Sequence, residues 1–352
     1  MSITPLQAAI AANSDGLEAF ASGHPKRASQ LLRQAYRHVP DQPAILVNLG
    51  LALMQQGRVT QAERCYRLAL HSPDLRHRRS AAKNLGFLYL WQGRFQEGWH
   101  WHGQRFAGES FLATQWQGQP LNRAQLTIWN DVGMGDAFHF ARYTQPLVAR
   151  GERVRLAVHA SQVELFQRHL AWPLAEVVDR NAIDRTAGVH IPLMSLIPVL
   201  DPTTSWGRSF RQPTWRLPET SPKDSEASAI GLCWASNPQD RTMHVYKSTQ
   251  PELLLAKGQA SAGILSLQTD ERDAHGRLGL NPAAPSWAQT LARIGHCRRV
   301  LSVDTAVAHL AAGAQVPVEL WLGGVADWRW RQFPEQGPDL GQLWYPSLSL
   351  LA

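Results

Sequence analysis

Cysteine is scarce in this chain: Cys65, Cys233 and Cys297 are the only three among 352 residues, far apart and set in apolar segments. That excludes a disulfide framework and offers no metal-ligand spacing, so the thiols are expected to be reduced core residues of a cytoplasmic protein. No apolar run reaches the roughly 20 residues that span a bilayer. The start, MSITPLQAAIAANSDG, also lacks the basic beginning and apolar core of a signal peptide. A net charge of +7 favours anionic partners. No basic run or nucleic-acid motif concentrates that charge, and a phosphorylated ligand or an acidic glycan fits it equally well. What is present, 44% hydrophobic and 18% charged residues, describes a globular chain long enough for two or three domains.

The first hundred residues repeat themselves. Gly23 and Ala28 recur as Gly57 and Ala62, and Asn48-Leu49-Gly50 recurs as Asn84-Leu85-Gly86. The spacing is close to the period of about 34 residues that marks tetratricopeptide repeats. Each unit reads as helix, Gly-centred turn, helix, with Leu31, Tyr36, Leu49, Leu53, Tyr66 and Leu70 on the seam. A short stack of this kind is either a docking surface for a protein or acceptor or a structural collar.

After Phe106 the pattern changes to short apolar runs alternating with helical stretches, the mark of parallel α/β units. Gln125 to Trp129 is an expected strand; NDVGMGDAFHFARY follows as a glycine turn entering a helix. Gly133 and Gly135 let backbone approach a ligand there, and Asp136 at the helix start reads as a cap or as a functional carboxylate. Val154 to Val158 and Ala175 to Val178 are further strands, and His190 to Leu196 is an apolar segment closing this half. The polar stretch SPKDSEAS, residues 221 to 228, marks a boundary. The expected domains are 1–110, 111–220 and 221–352.

In the last part, Ala229 to Ala235 is a buried strand running into Ser236-Asn237-Pro238. Lys247 precedes a helix, either solvated or set as a point charge for phosphate. Ile264 to Gln268 is a strand ending in Gln268. Residues 299–324 form a strand, helix, strand unit whose turn carries Asp304 and Thr305. Free backbone N–H groups and the positive end of a helix dipole at Thr305 suit a phosphate. His309 lies one helical turn further, facing the same mouth, although a capping Asp304-Thr305 pair and a satisfied histidine are equally compatible with the spacing. Trp328 and Trp330 flank Arg329, where an aromatic face could stack on a ligand or simply fill a core.

SVDTAVAHLAA, residues 302–312, together with the Asp327–Trp330 element DWRW, resembles the nucleotide-binding end of the heptosyltransferase-like glycosyltransferases of family 9, in the branch that carries tetratricopeptide repeats. Gly231, Trp234, Asn237 and Pro238 match that family's Gly-x-x-Trp-x-Gly-Asn-Pro sequence, with Ser236 in place of the second glycine. The resemblance implies a short tetratricopeptide-type α-solenoid followed by two Rossmann-like domains, resembling the glycosyltransferase-B fold. It implies sugar transfer from a nucleotide diphosphate donor to a protein or glycan acceptor, with Asp136 as base. Donor-binding candidates are Gly135, Asn237, Lys247, Gln268, Asp304, Thr305 and His309, and Gly133, Arg142, Ser236, Trp328 and Arg329 are further ones. No Asp-x-Asp pair ends a strand to hold a divalent ion, so neither metal nor other cofactor is expected. Departures from the family at Asp131-Val132 and Ser236 leave a non-catalytic nucleotide- or partner-binding scaffold as the alternative. The family extends past its WYPS element, here Trp344–Ser347, and this chain stops at Ala352, so the two halves are expected to be less firmly coupled.

Overall fold

The computed structural model describes residues 4–40, 42–222, 227–260, 263–270 and 273–351. Residues 223–226, inside the polar boundary stretch, lie outside the described residues.

Helices α1 (Pro5–Ala21), α2 (Pro25–His38), α3 (Pro43–Met54), α4 (Val59–Ala69), α5 (Leu75–Trp91) and α6 (Phe95–Gly103) pack as successive hairpins. Proline opens α1, α2 and α3, where a helix has an N–H without a partner in any case. The hairpin turns place Gly57 in the left-handed region at φ +69°, as they do Gly23 and Gly93. Within the helices glycine is needed for space. A Cβ on Gly50 would stand 2.3 Å from Tyr66 Cε1, and one on Gly86 would stand 2.5 Å from the His102 backbone nitrogen. The recurring Asn-Leu-Gly therefore marks where the second helix of each hairpin crosses the first. Leu49, Leu53 and Tyr66 are buried in the seam, with Leu31, Tyr36 and Leu70 packed against it.

Contacts divide the chain into two units that are not contiguous in sequence. One joins the repeats, up to Leu112, with Asn237–Tyr246 and Gly324–Arg331. Within it, Arg241 forks onto both carboxylate oxygens of Glu18 at 2.9 and 2.6 Å, and the Tyr246 ring lies 5.2 Å from that of Phe20. Trp328 stands edge-on to Trp99 at 5.5 Å, while the Trp91 indole donates to the Ala326 carbonyl at 3.1 Å.

The other unit contains two α/β halves. The first is built from β1 (Leu126–Trp129), α7 (Met134–Phe140), α8 (Gln145–Ala149), β2 (Val154–Val158), α9 (Val163–His169), β3 (Glu176–Asp179), β4 (Val189–Pro192), α10 (Leu193–Leu200) and α11 (Ser205–Ser209). Its parallel sheet has the order β3-β2-β1-β4. The second comprises β5 (Ala229–Cys233), α12 (Arg241–Lys247), which packs with the repeats as far as Tyr246, α13 (Pro251–Lys257) and β6 (Ile264–Ser266). It continues with α14 (Asp273–Arg277), α15 (Trp287–Ile294), β7 (Cys297–Val303), α16 (Ala306–Gly313), β8 (Val318–Trp321) and β9 (Leu348–Leu350). The order is β6-β5-β7-β8-β9, again parallel.

Helices packed on the sheets bury the alternate strand residues Leu126, Ile128, Val154, Leu156, Ile230, Leu232, Leu301 and Val303. The run from His190 to Leu196 is divided between two elements. β4 ends at Pro192, α10 begins at Leu193, and Asp131 Oδ1 accepts the Met194 N–H at 3.2 Å in its first turn. Strand order reverses between β1 and β4 in one sheet and between β5 and β7 in the other. The crevices outside the carboxyl ends of those pairs are where open α/β sheets bind ligands.

Coupling of the halves runs through the WYPS element itself. The Arg142 guanidinium donates to the Trp344 carbonyl at 2.9 Å and to the Gly207 carbonyl at 3.0 Å, with Trp344 wholly buried. Phe138 on α7 meets Trp287 on α15 edge-on at 4.9 Å. Both halves fall within one contact unit, joined by these buried backbone and aromatic contacts.

Candidate functional site

At the β5/β7 crevice, Asp304-Thr305 follow the end of β7 and lead into α16. Thr305 is the N-cap in an extended conformation, yet its side chain makes no capping bond; Oγ1 instead lies 3.4 Å from Ser302 Oγ and 3.6 Å from Cys233 Sγ. The first amides of α16 thus lack the side-chain acceptor that usually satisfies them, and the dipole adds partial positive charge. Asp304 is buried, and its Oδ2 holds Lys247 Nζ at 2.7 Å. Lys247 is the last residue of α12 rather than part of a turn.

Opposite this helix start lies that of α7. Asp136, its third residue, turns back so that Oδ2 accepts the Gly133 N–H at 3.0 Å. Gly135 is in close approach to α16: a Cβ there would lie 3.2 Å from Ala306 Cα and 3.2 Å from His309 Cδ2. The glycine turn after β1 and the helix after β7 are therefore brought together. Asn130 shapes this turn, accepting the Val132 N–H at 3.2 Å and donating to the Val132 carbonyl at 3.1 Å.

Behind the two helix starts is a buried polar and aromatic cluster. His309 Nδ1 is 3.0 Å from the Tyr345 hydroxyl, and its ring is 4.8 Å from that of His139, which in turn meets Trp344 edge-on at 4.5 Å. Arg142 lies in the same cluster, its guanidinium 4.5 Å from the Tyr345 ring centre. Burial lowers the Arg142 pKa, with Tyr345 and Tyr143 opposing the shift.

The remaining candidates separate into brackets and residues of the other unit. Gln268 is 1% exposed, and its Oε1 accepts from the Trp234 and Ala235 amides at 3.0 Å each, fixing the end of β5. Cys233 Sγ is 3.2 Å from the same oxygen, and burial pushes its thiol up to about 11. Ser236 donates its N–H to Ser248 Oγ at 3.0 Å. Asn237 belongs to the unit of the repeats, exposed, its Oδ1 accepting the Gln239 N–H at 3.0 Å. Trp328 and Arg329 are also in that unit, both buried, with the Arg329 N–H donated to Asp327 Oδ1 at 3.1 Å. Tyr345, Asn130 and Ser248 were not singled out from sequence; the only signal was the WYPS element and the position of Asn130 at the end of β1.

An open cavity of about 650 Å³, lined among others by Phe166, Arg168, Trp172, Glu176 and Arg216, lies at the start of β3, the opposite end of the strands from these residues. Among the described residues, no three His, Cys, Asp or Glu side chains gather as metal ligands would, and no helix is long and apolar enough to cross a membrane.

Residues 19–83 match a family model described as a tetratricopeptide repeat. No curated protein matches the chain. Among solved structures it is similar to the bacterial iron-containing dodecameric glycosyltransferase TibC of enterotoxigenic E. coli H10407, at 12% identity over 64% of this chain and 62% of that one, with a TM-score of 0.42. A dodecameric iron-containing heptosyltransferase TibC in complex with ADP-D-beta-D-heptose gives 13% identity over 64% and 63%, with a TM-score of 0.44. An O-GlcNAc transferase mutant of Thermobaculum terrenum gives 14% identity over 93% of this chain and 84% of that one, with a TM-score of 0.29. The chain spans 62–63% of the length of the two TibC structures.

Proposed function

We propose that the α/β unit transfers a sugar from a nucleotide diphosphate sugar to an acceptor hydroxyl, on a protein or glycan, without a metal ion. The observation that carries this reading is the start of α16, which has no capping side chain and faces the glycine turn of α7. Its amides and dipole would take the donor diphosphate, with the Lys247 ammonium beside Asp304 adding positive charge. Negative charge grows on the diphosphate as the glycosidic bond breaks, so donors already aimed there stabilise the transition state more than the ground state. Asp136, held by the Gly133 N–H, is the proposed base that removes the acceptor proton.

A second reading, a scaffold that binds nucleotide without turnover, is favoured by the internal pairing of Lys247 with Asp304 at 2.7 Å. That carboxylate competes with a phosphate for the same ammonium. Thermal shift against ADP, GDP, UDP and their sugars tests donor binding, since a ligand bound to the folded state raises the melting temperature. Release of nucleotide from the sugar by the purified chain then separates the readings: a transferase hydrolyses or transfers its donor slowly or fast, whereas a scaffold leaves it intact. No shift with any of these ligands would remove both.

A further inference from the structure

Nearly all of the net charge sits in the repeats. Residues 1–112 carry 13 Lys and Arg against 7 Asp and Glu, which is +6 of the net +7. Every described carboxylate of that stretch except Asp15 is already held by an arginine: Glu18 by Arg241, Glu63 by Arg67, Asp74 by Arg76, Glu97 by Arg94 and Glu109 by Arg79. Other side chains carry the surplus. Lys26, Arg27, Arg33 and Arg37 on α2, Arg58 at the N-cap of α4 and Arg64 within it pair with no carboxylate among the described residues.

Folding gathers onto one face cations that the sequence scatters. On α2, Lys26, Gln30, Arg33 and Arg37 follow the i, i+4, i+7, i+11 spacing of a single helical stripe, about 16 Å long. Helix α4 lies beside it. Gln56, just before α4, donates to the Pro25 carbonyl at the start of α2 at 2.9 Å, and Arg33 donates to Gln61 Oε1 on α4 at 3.3 Å. Five of the six cations are exposed and Arg33 is half-buried. Gathered like charges repel, so an anion laid across them lowers the energy of the face.

The side chains of the face select the anion. All but Lys26 are arginines, whose forked donors match a carboxylate, and this unit already uses that fork: Arg241 on both oxygens of Glu18 and Arg76 on both of Asp74. No aromatic ring is offered for stacking on a base, since Tyr36 packs against the core and Tyr66 is buried. Among the described residues of α2 and α4, Leu68 is the one exposed large apolar side chain, too little to enter a bilayer. We propose that the face shared by α2 and α4 is a docking surface for an extended, Asp- or Glu-rich segment of a partner protein. It does not depend on the diphosphate reading of α16.

The full chain tests it with four probes: a fluorescein-labelled Glu-Ser repeat peptide, its Gln-Ser counterpart, an oligouridylate and phosphatidylserine vesicles. Anisotropy at low salt should show the Glu-Ser peptide bound and the Gln-Ser peptide free, with affinity falling as salt is raised. The triple variant Arg33→Gln, Arg37→Gln, Arg64→Gln should weaken the Glu-Ser peptide about three- to a hundredfold, the range for three exposed ion pairs. A control triple, Arg150→Gln, Arg153→Gln, Arg298→Gln, removes the same charge from exposed positions of the α/β unit and should leave binding nearly unchanged. Equal losses in the two triples would reduce the effect to net charge and overturn the proposal, as would no binding of the Glu-Ser peptide. A second measurement needs no variant. A carbodiimide joins carboxylates to amines, and Lys26 is the one lysine of the face, so peptide cross-links on the wild type should map to Lys26; cross-links confined to other lysines overturn the proposal. Tighter binding of the oligouridylate, or of the vesicles by co-sedimentation, than of the peptide would overturn it in favour of nucleic acid or a membrane surface.

Discussion

The helix starts of α7 and α16 occupy comparable places in the two halves, each following a strand beside a point where strand order reverses. Neither N-cap residue makes a side-chain capping bond; they differ in whether the N-cap residue's own amide meets a carboxylate from the helix. At α7 the chain supplies its own carboxylate, Asp136 reaching back to Gly133. At α16 the residue in the capping position turns its hydroxyl toward Ser302 and Cys233 instead. A helix start with its own carboxylate in the first turn presents a fixed negative group; one without it keeps donors and a positive dipole end for a ligand. On the proposed function, the two sides would carry opposite chemistry: proton removal at α7 and anion binding at α16.

The strongest way to break this comparison is to neutralise the α7 side without unfolding it. Asn retains an oxygen for the Gly133 amide, so Asp136→Asn should fold within about 1 kcal/mol of wild type and bind donor normally. It cannot take a proton, and transfer should fall by at least about a hundredfold. Near wild-type transfer in a steady-state assay would leave Asp136 as a cap alone.

On the α16 side, two substitutions address the anion site. Lys247→Ala removes a charge-assisted contact of about 1.5–3 kcal/mol and should weaken nucleotide diphosphate roughly tenfold to a hundredfold, with nucleoside affinity intact. Thr305→Asp converts the uncapped start into a capped one with a carboxylate where the phosphates are proposed to bind. It should leave the melting temperature unchanged or slightly raised while weakening the diphosphate at least about tenfold. Diphosphate affinity unaffected by both changes, measured by calorimetry, would place the anion elsewhere.

Much of this arrangement was legible in sequence for identifiable reasons. Repeats announce themselves because Gly50 and Gly86 admit no side chain where helices cross, so the same tripeptide must return. Buried strands rich in β-branched and aliphatic residues between polar turns are why β1, β2, β5 and β7 were readable. Boundaries were hidden where chemistry gives no signal. A single apolar run conceals the passage from β4 to α10, and the polar α12 has no apolar stripe to betray a helix. Side-chain direction was not legible at all. Nothing in the letters says that Gln268 turns its amide inward onto Trp234 and Ala235, that Lys247 meets Asp304, or that Trp328 packs on Trp99. Those outcomes depend on which segments far apart in sequence come together.

The smallest expected effect sharpens the comparison most directly, because it isolates capping from chemistry. If Asp136 caps α7, Asp136→Ala leaves the Gly133 N–H without that acceptor and should destabilise the α/β unit by about 1 kcal/mol. For a unit of this size that lowers the apparent melting temperature by roughly 2–4 °C. Thr305→Val removes a hydroxyl of similar shape whose neighbours stand at 3.4 and 3.6 Å, beyond a strong hydrogen bond, and which caps nothing. Its shift should be less than half that of Asp136→Ala. Differential scanning calorimetry of the two variants side by side reads the difference; equal shifts would mean that Thr305 caps α16 in solution, and the contrast between the two helix starts would be lost.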